Sequence, residues 1–171
     1  MAYFLLSLLW ISAAALLGAV ASGLGLFHVG SPIRLHVYLA GPALTLALSA
    51  HAMTLVYALR RGERIKRILA TGSTEELEDA LGRFVQPRKK IMFPLIFAAV
   101  LLLGVGVLGV AVYCGRVQMA AHEYAAFAGL LVHVHVASRE TLFLFKTITL
   151  TEEIEDEARR RADCAPSGPP A

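Results

Sequence analysis

No Asp, Glu, Lys or Arg occurs before Arg34, and the residues between Arg34 and Arg60 carry no formal charge either. These two runs are the strongest constraint on the fold, because about 20 consecutive apolar residues cross the hydrocarbon core of a bilayer as one helix. A third run, 91–115, is equally free of charge, and a fourth, 119–145, is broken only by Glu123, Arg139 and Glu140. With 57% of its 171 residues hydrophobic, the chain is too apolar for an ordinary soluble domain. The expected fold is all-α: a polytopic membrane protein, a bundle of four transmembrane helices over 3–27, 35–59, 91–115 and 119–145.

The basic residues set the expected orientation. Nine of the sixteen Lys and Arg lie between Arg60 and Lys90, whereas the connections near Arg34 and Arg116 hold one each. Lys and Arg favour the cytoplasmic side of short loops, so residues 60–90 are expected to form a cytoplasmic loop, with both termini cytoplasmic too. The expected location is a plasma membrane, the inner membrane of a bacterium. The charge flanks apolar spans and does not form a separate basic domain, so no nucleic-acid partner is expected. Ala19-Val20-Ala21 has the small residues of a cleavage site, but no positive charge precedes it and the apolar stretch is long for a signal peptide. A retained first helix is therefore expected. Cys114 and Cys164 fall at opposite ends of the bundle and do not pair.

Within the loop, Ser73-Thr74-Glu75-Glu76 has the hydroxyls and acids of a helix start, and Leu77, Leu81 and Phe84 recur at helical spacing. An amphipathic helix over 73–86, ended by Pro87, is expected to lie on the membrane surface or to receive a partner subunit. Residues 151–171 are expected to extend the fourth helix into the cytoplasm and then become a disordered tail. Loop 60–90 and this tail are the expected docking surfaces for other subunits of a membrane complex.

The candidate functional residues are histidines, because an imidazole inside a membrane is costly to hold. His36 and His51 are fifteen residues apart, about 22 Å along a helix and within about 60° of one face. Between and beyond them lie Ala40, Ala43, Ala47 and Thr54, a flat stripe suited to a planar cofactor. On the fourth span, His122 and His133 are nearly in line, about 16 Å apart, with Ala126 and Gly129 between them. His135 matches the axial spacing of His36 and His51 better, about 20 Å from His122, but projects to nearly the opposite side. Facing favours His133; depth favours His135. His28 is expected at the membrane interface, Arg139 and Glu140 as a mutual pair or a site of quinone or proton uptake, and the glycines and alanines of spans one and three as helix-packing residues.

If the second and fourth helices are neighbours, His36 comes level with His122, and His51 with His133 or His135. Two bis-imidazole sites would then be stacked across the membrane. In this pattern the chain resembles the diheme b-type cytochromes of quinone-linked respiratory and photosynthetic enzymes. The segment from Arg34-Leu35-His36 through His51 to Arg60-Arg61 is similar to a ligand helix of that family. The resemblance implies one or two b haems, with His36, His51, His122 and His133 or His135 as cofactor ligands. It also implies a quinone as substrate, arginines at both ends able to meet haem propionates, and partner subunits in a larger complex. The iron would be held by neutral imidazoles, and a covalent c-type haem is excluded because no C-x-x-C-H occurs.

The implied function is an electron-transfer subunit of an oxidoreductase complex, carrying electrons between a quinone pool and a partner and not catalytic alone. The competing readings are a cofactor-free membrane anchor or assembly subunit, a histidine-based metal or proton transporter, and a pigment-binding protein. A hydrolase is not expected: no H-E-x-x-H or G-x-S-x-G motif occurs.

Overall fold

The computed structural model describes residues 1–26, 32–69 and 74–164. Among them are four helices and no strand: α1 (Ala2–Gly23), α2 (Pro32–Leu69), α3 (Thr74–Tyr113) and α4 (Met119–Cys164). At 1.5 Å per residue, α1 is about 33 Å long and matches the hydrocarbon thickness of a bilayer, whereas α2, α3 and α4 are about 57, 60 and 69 Å long. Three helical stretches are long and apolar enough to cross a membrane: Ala2–Gly23, Arg34–Arg67 and Asp79–Tyr113. The fourth expected span, on α4, is not among them. Its acids, Arg139 and three histidines lower its hydropathy, but His133 and Glu140 are buried inside the bundle.

The stretch expected as a loop, 60–90, is mostly helix. α2 continues beyond its apolar part to Leu69, and α3 starts at Thr74 and passes through both Pro87 and Pro94. Pro87 therefore does not end the amphipathic segment, which is continuous with the third apolar stretch. A proline inside a helix costs about 3 kcal/mol or more. Packing on both sides offsets it: Ala80, Phe84 and Ile91 form one buried strip running past Pro87 and pack with Ile65 and Ile154 of the neighbouring helices. Leu81 joins the same cluster from its edge, and the expected capping residue Ser73 lies outside the described residues. The expected extension of α4 is present as far as Cys164.

Sequential helices pack side by side, α1 on α2, α2 on α3 and α3 on α4, and α1 closes the bundle against α4. α1 and α3 do not touch among the described residues, while α2 and α4 meet across the middle. Contacts of His36 with His122 and of Arg64 with Glu155 show that α2 and α4 run in the same direction. Small side chains make this close diagonal possible: Ala43, Ala47, Ala50 and Ala137 are all buried. Beyond the apolar parts, Arg64–Glu155 (2.7 Å) and Arg83–Glu153 (2.6 Å) tie the extensions of α2 and α3 to α4.

Candidate functional site

Two stripes face each other along the α2–α4 diagonal. On α4, His122, His133 and Glu140 follow one another at spacings of eleven and seven, which return to nearly the same face. On α2, His36, Ala43, Ala47, His51 and Thr54 form the opposing stripe. Both stretches are continuous helix, α2 passing through Pro42 between His36 and His51, so the order of side chains in depth follows residue number. The polar residues consequently meet at two levels.

At the first level the rings of His36 and His122 stand edge to face, with centroids 5.9 Å apart and planes at 74°. His36 Nδ1 donates to the Ala19 carbonyl at 2.9 Å. A carbonyl can only accept, so the neutral ring keeps its lone pair on Nε2. Both rings lie against glycines. A Cβ at Gly23 would stand 3.0 Å from His36 Nδ1, and one at Gly109 would stand 3.1 Å from His122 Cε1. A cavity of about 100 Å³ opens here, bordered by both histidines with Gly23, Met119, Glu123 and Ala126.

At the second level His51, His133 and Glu140 are each fully buried. His51 Nδ1 is hydrogen-bonded to Glu140 Oε1, and His51 Nε2 lies 3.0 Å from His133 Nδ1. His133 Nε2 lies 3.0 Å from Ser12 Oγ, which in turn is 2.7 Å from the Leu9 carbonyl. Ser12, His133, His51 and Glu140 thus form one unbroken chain through α1, α4 and α2. It can be satisfied in two directions. With the serine hydroxyl on Leu9, each imidazole Nε2–H donates toward Ser12, and a proton is shared between His51 and Glu140. With the hydroxyl turned to His133, each Nδ1–H donates toward an ionised Glu140, and the chain holds one proton fewer. Glu140 Oε2 and Thr54 Oγ1 are also buried and have no partner among the described residues.

The structure brings His36 to His122 and His51 to His133. It leaves His135 exposed on another face of α4, so His133 and not His135 is the residue that meets His51. Arg139 is exposed and Glu140 is buried, so the two do not pair with each other. His28 lies outside the described residues. Sequence reasoning did not find Ser12 as a member of the second-level chain. The available signal was its place on the buried stripe of α1, with Leu5, Leu9, Leu16, Ala19 and Ser22. Gly109 and Gly23 serve close approach of the histidine rings, while Gly104 would meet nothing if it carried a side chain.

Fold and site together define a helical chain with three long apolar stretches and two levels of polar pairing along one core diagonal. No family model, curated protein or solved structure matches the chain.

Proposed function

We propose that the chain is a four-span subunit of a bacterial inner-membrane complex that carries electrons through one or two b haems. Both termini and the polar ends of α2, α3 and α4 face the cytoplasm in this reading, where partner subunits dock, and a quinone is the mobile redox partner. The observation that carries it is the pairing of His36 with His122 and of His51 with His133 between two parallel helices, at two depths. Support for the membrane setting comes from the wide belt of exposed apolar side chains, among them Trp10, Phe93, Phe97, Val107 and Leu142.

The donor set fits haem; the spacing sets a condition. A metal–imidazole bond is about 2 Å long, so two imidazoles sharing one ion need their nitrogens about 4 Å apart. At 3.0 Å, His51 and His133 are closer than that and are hydrogen-bonded directly. At the outer level the 100 Å³ cavity is small for a macrocycle. Binding therefore requires α2 and α4 to part along their diagonal and displaces Leu16, Leu102 and Leu130, which pack on Ala43 and Ala47 between the two levels. Haem would supply the one-electron chemistry. The chain's own contribution would be His36 with Nε2 freed by the Ala19 carbonyl, and His51 oriented by Glu140.

A reduced-minus-oxidised spectrum of the purified native protein, with pyridine haemochrome quantification, tests the reading. Two haems per chain support both sites, and His51→Ala is then expected to leave one. One haem in the unaltered protein assigns the cofactor to a single level. None refutes the cytochrome.

The unbroken chain from Ser12 to Glu140 favours a second reading, in which the same residues transfer protons with no cofactor. In that case the haem-free protein, in vesicles carrying an internal pH dye, collapses an imposed proton gradient, and His51→Leu abolishes the flux. Vesicles no leakier than protein-free ones refute it.

A further inference from the structure

A second constellation lies away from the histidines, at the polar end of the apolar part of α2. A groove of about 920 Å³ is lined there by Leu59, Glu63 and five cations: Arg60, Arg64, Lys66, Arg67 and Arg88. Arg60, Arg64 and Arg67 recur at helical spacing on α2. Arg88 reaches them from α3. It passes over Gly62, where a Cβ would stand 3.4 Å from Arg88 Nη1, an ordinary contact, and 3.1 Å from the Phe84 ring.

Two of the five cations have described carboxylate partners, Arg64 with Glu155 and Lys66 with Glu63. Among the described residues Arg60, Arg67 and Arg88 form no ion pair with a carboxylate. The groove also sits at a particular depth. α2 carries no charge from Leu35 to Leu59, and the apolar run of α3 begins at Ile91, directly after Arg88-Lys89-Lys90. On the apolar side of this boundary, Val56, Leu59 and Phe93 are exposed.

We infer that this groove binds an anionic phospholipid, with the phosphate among Arg60, Arg67 and Arg88 and the acyl chains along the exposed apolar side chains next to them. A free phosphate shares only the first of those contacts. A zwitterionic lipid presents the same phosphate but cancels its charge. A basic pocket between helices at the cytoplasmic boundary has the charge and the depth to select the anionic headgroup. The inference rests on the membrane reading and is independent of haem.

Short-chain phosphatidylglycerol, titrated calorimetrically onto the full chain in an uncharged detergent, tests it against short-chain phosphatidylcholine and inorganic phosphate. Each surface arginine is expected to contribute about fivefold to affinity, so Arg60→Gln/Arg67→Gln/Arg88→Gln is expected to bind on the order of 100-fold more weakly. Lys146→Gln, an exposed cation elsewhere, is expected to bind as the unaltered chain does. These side chains are not in the core, and the single variant Arg60→Gln supplies the same comparison at about fivefold. Equal binding of the two lipids, an unaffected triple variant, or displacement of phosphatidylglycerol by equimolar inorganic phosphate would each overturn the proposal. Carbonate extraction of membranes separates the two levels of failure. A chain stripped from the membrane refutes the membrane reading and the lipid site together, whereas a retained chain that fails the titration refutes the lipid site alone.

Discussion

Removing the buried carboxylate at position 140 is the most direct perturbation of the α2–α4 diagonal. Glu140→Leu keeps approximate volume but leaves His51 Nδ1 facing apolar packing, since His51 and Glu140 are both fully buried and bonded to each other. An unsatisfied buried polar group costs about 1–3 kcal/mol. Neutral hydrogen bonds between membrane helices average only about 0.6 kcal/mol, but one to a charged group contributes about 1.5–3 kcal/mol, so for this carboxyl–imidazole pair about 2 kcal/mol is expected. For a chain of this size 1 kcal/mol moves the melting temperature by about 2–4 °C, so a fall of about 4–8 °C is expected. Glu140→Gln retains an acceptor of the same shape and is expected to lose less than about 1 kcal/mol. In His51→Leu/Glu140→Leu both partners become apolar, and the double variant is expected to recover about 1–2 kcal/mol relative to the sum of the single losses. The assay is thermal unfolding of the unaltered chain and of Glu140→Leu, Glu140→Gln, His51→Leu and His51→Leu/Glu140→Leu in one detergent, followed by circular dichroism. If the two single losses add to the double loss within about 0.5 kcal/mol, the side chains do not interact in the folded chain, and the second level is not assembled as described.

Other perturbations sort the remaining residues. His135→Ala is expected to change stability by less than about 0.5 kcal/mol and to leave haem content untouched, because the side chain is exposed; loss of haem in this variant would return the assignment to axial depth. Gly109→Val forces a branched side chain against His122, whose Cε1 is already 3.1 Å from an added Cβ. It is expected to cost about 1–3 kcal/mol and, should the unaltered chain hold two haems, to leave one. Arg83→Ala breaks an ion pair with Glu153 whose members are 54% and 51% exposed, and a change below about 1 kcal/mol is expected in the same melting assay.

Much of this arrangement was legible in the sequence because helical periodicity converts residue number directly into facing. The spacing of His122 and His133 returns to one side of a helix, and the two are indeed on the stripe that meets α2. The same arithmetic applied seven residues further would have placed Glu140 below His133, but its neighbour Arg139 suggested a local pair. Adjacent residues on a helix point about 100° apart, and here that separation puts one in the core and the other outside it. What periodicity cannot supply is which helices oppose each other across a core. Ser12 joins the second-level chain only because α1 packs against both α2 and α4, and Gly109 matters only because α3 lies behind His122. The prolines mark the opposite limit. Pro87 is a strong local stop signal, yet the strip Ala80, Phe84 and Ile91 buries continuously past it, and the tertiary packing of that strip outweighs a local cost of about 3 kcal/mol. A long helix through Pro87 also carries Arg88 to the level of Gly62, so the override that sequence reasoning missed is what assembles the basic groove.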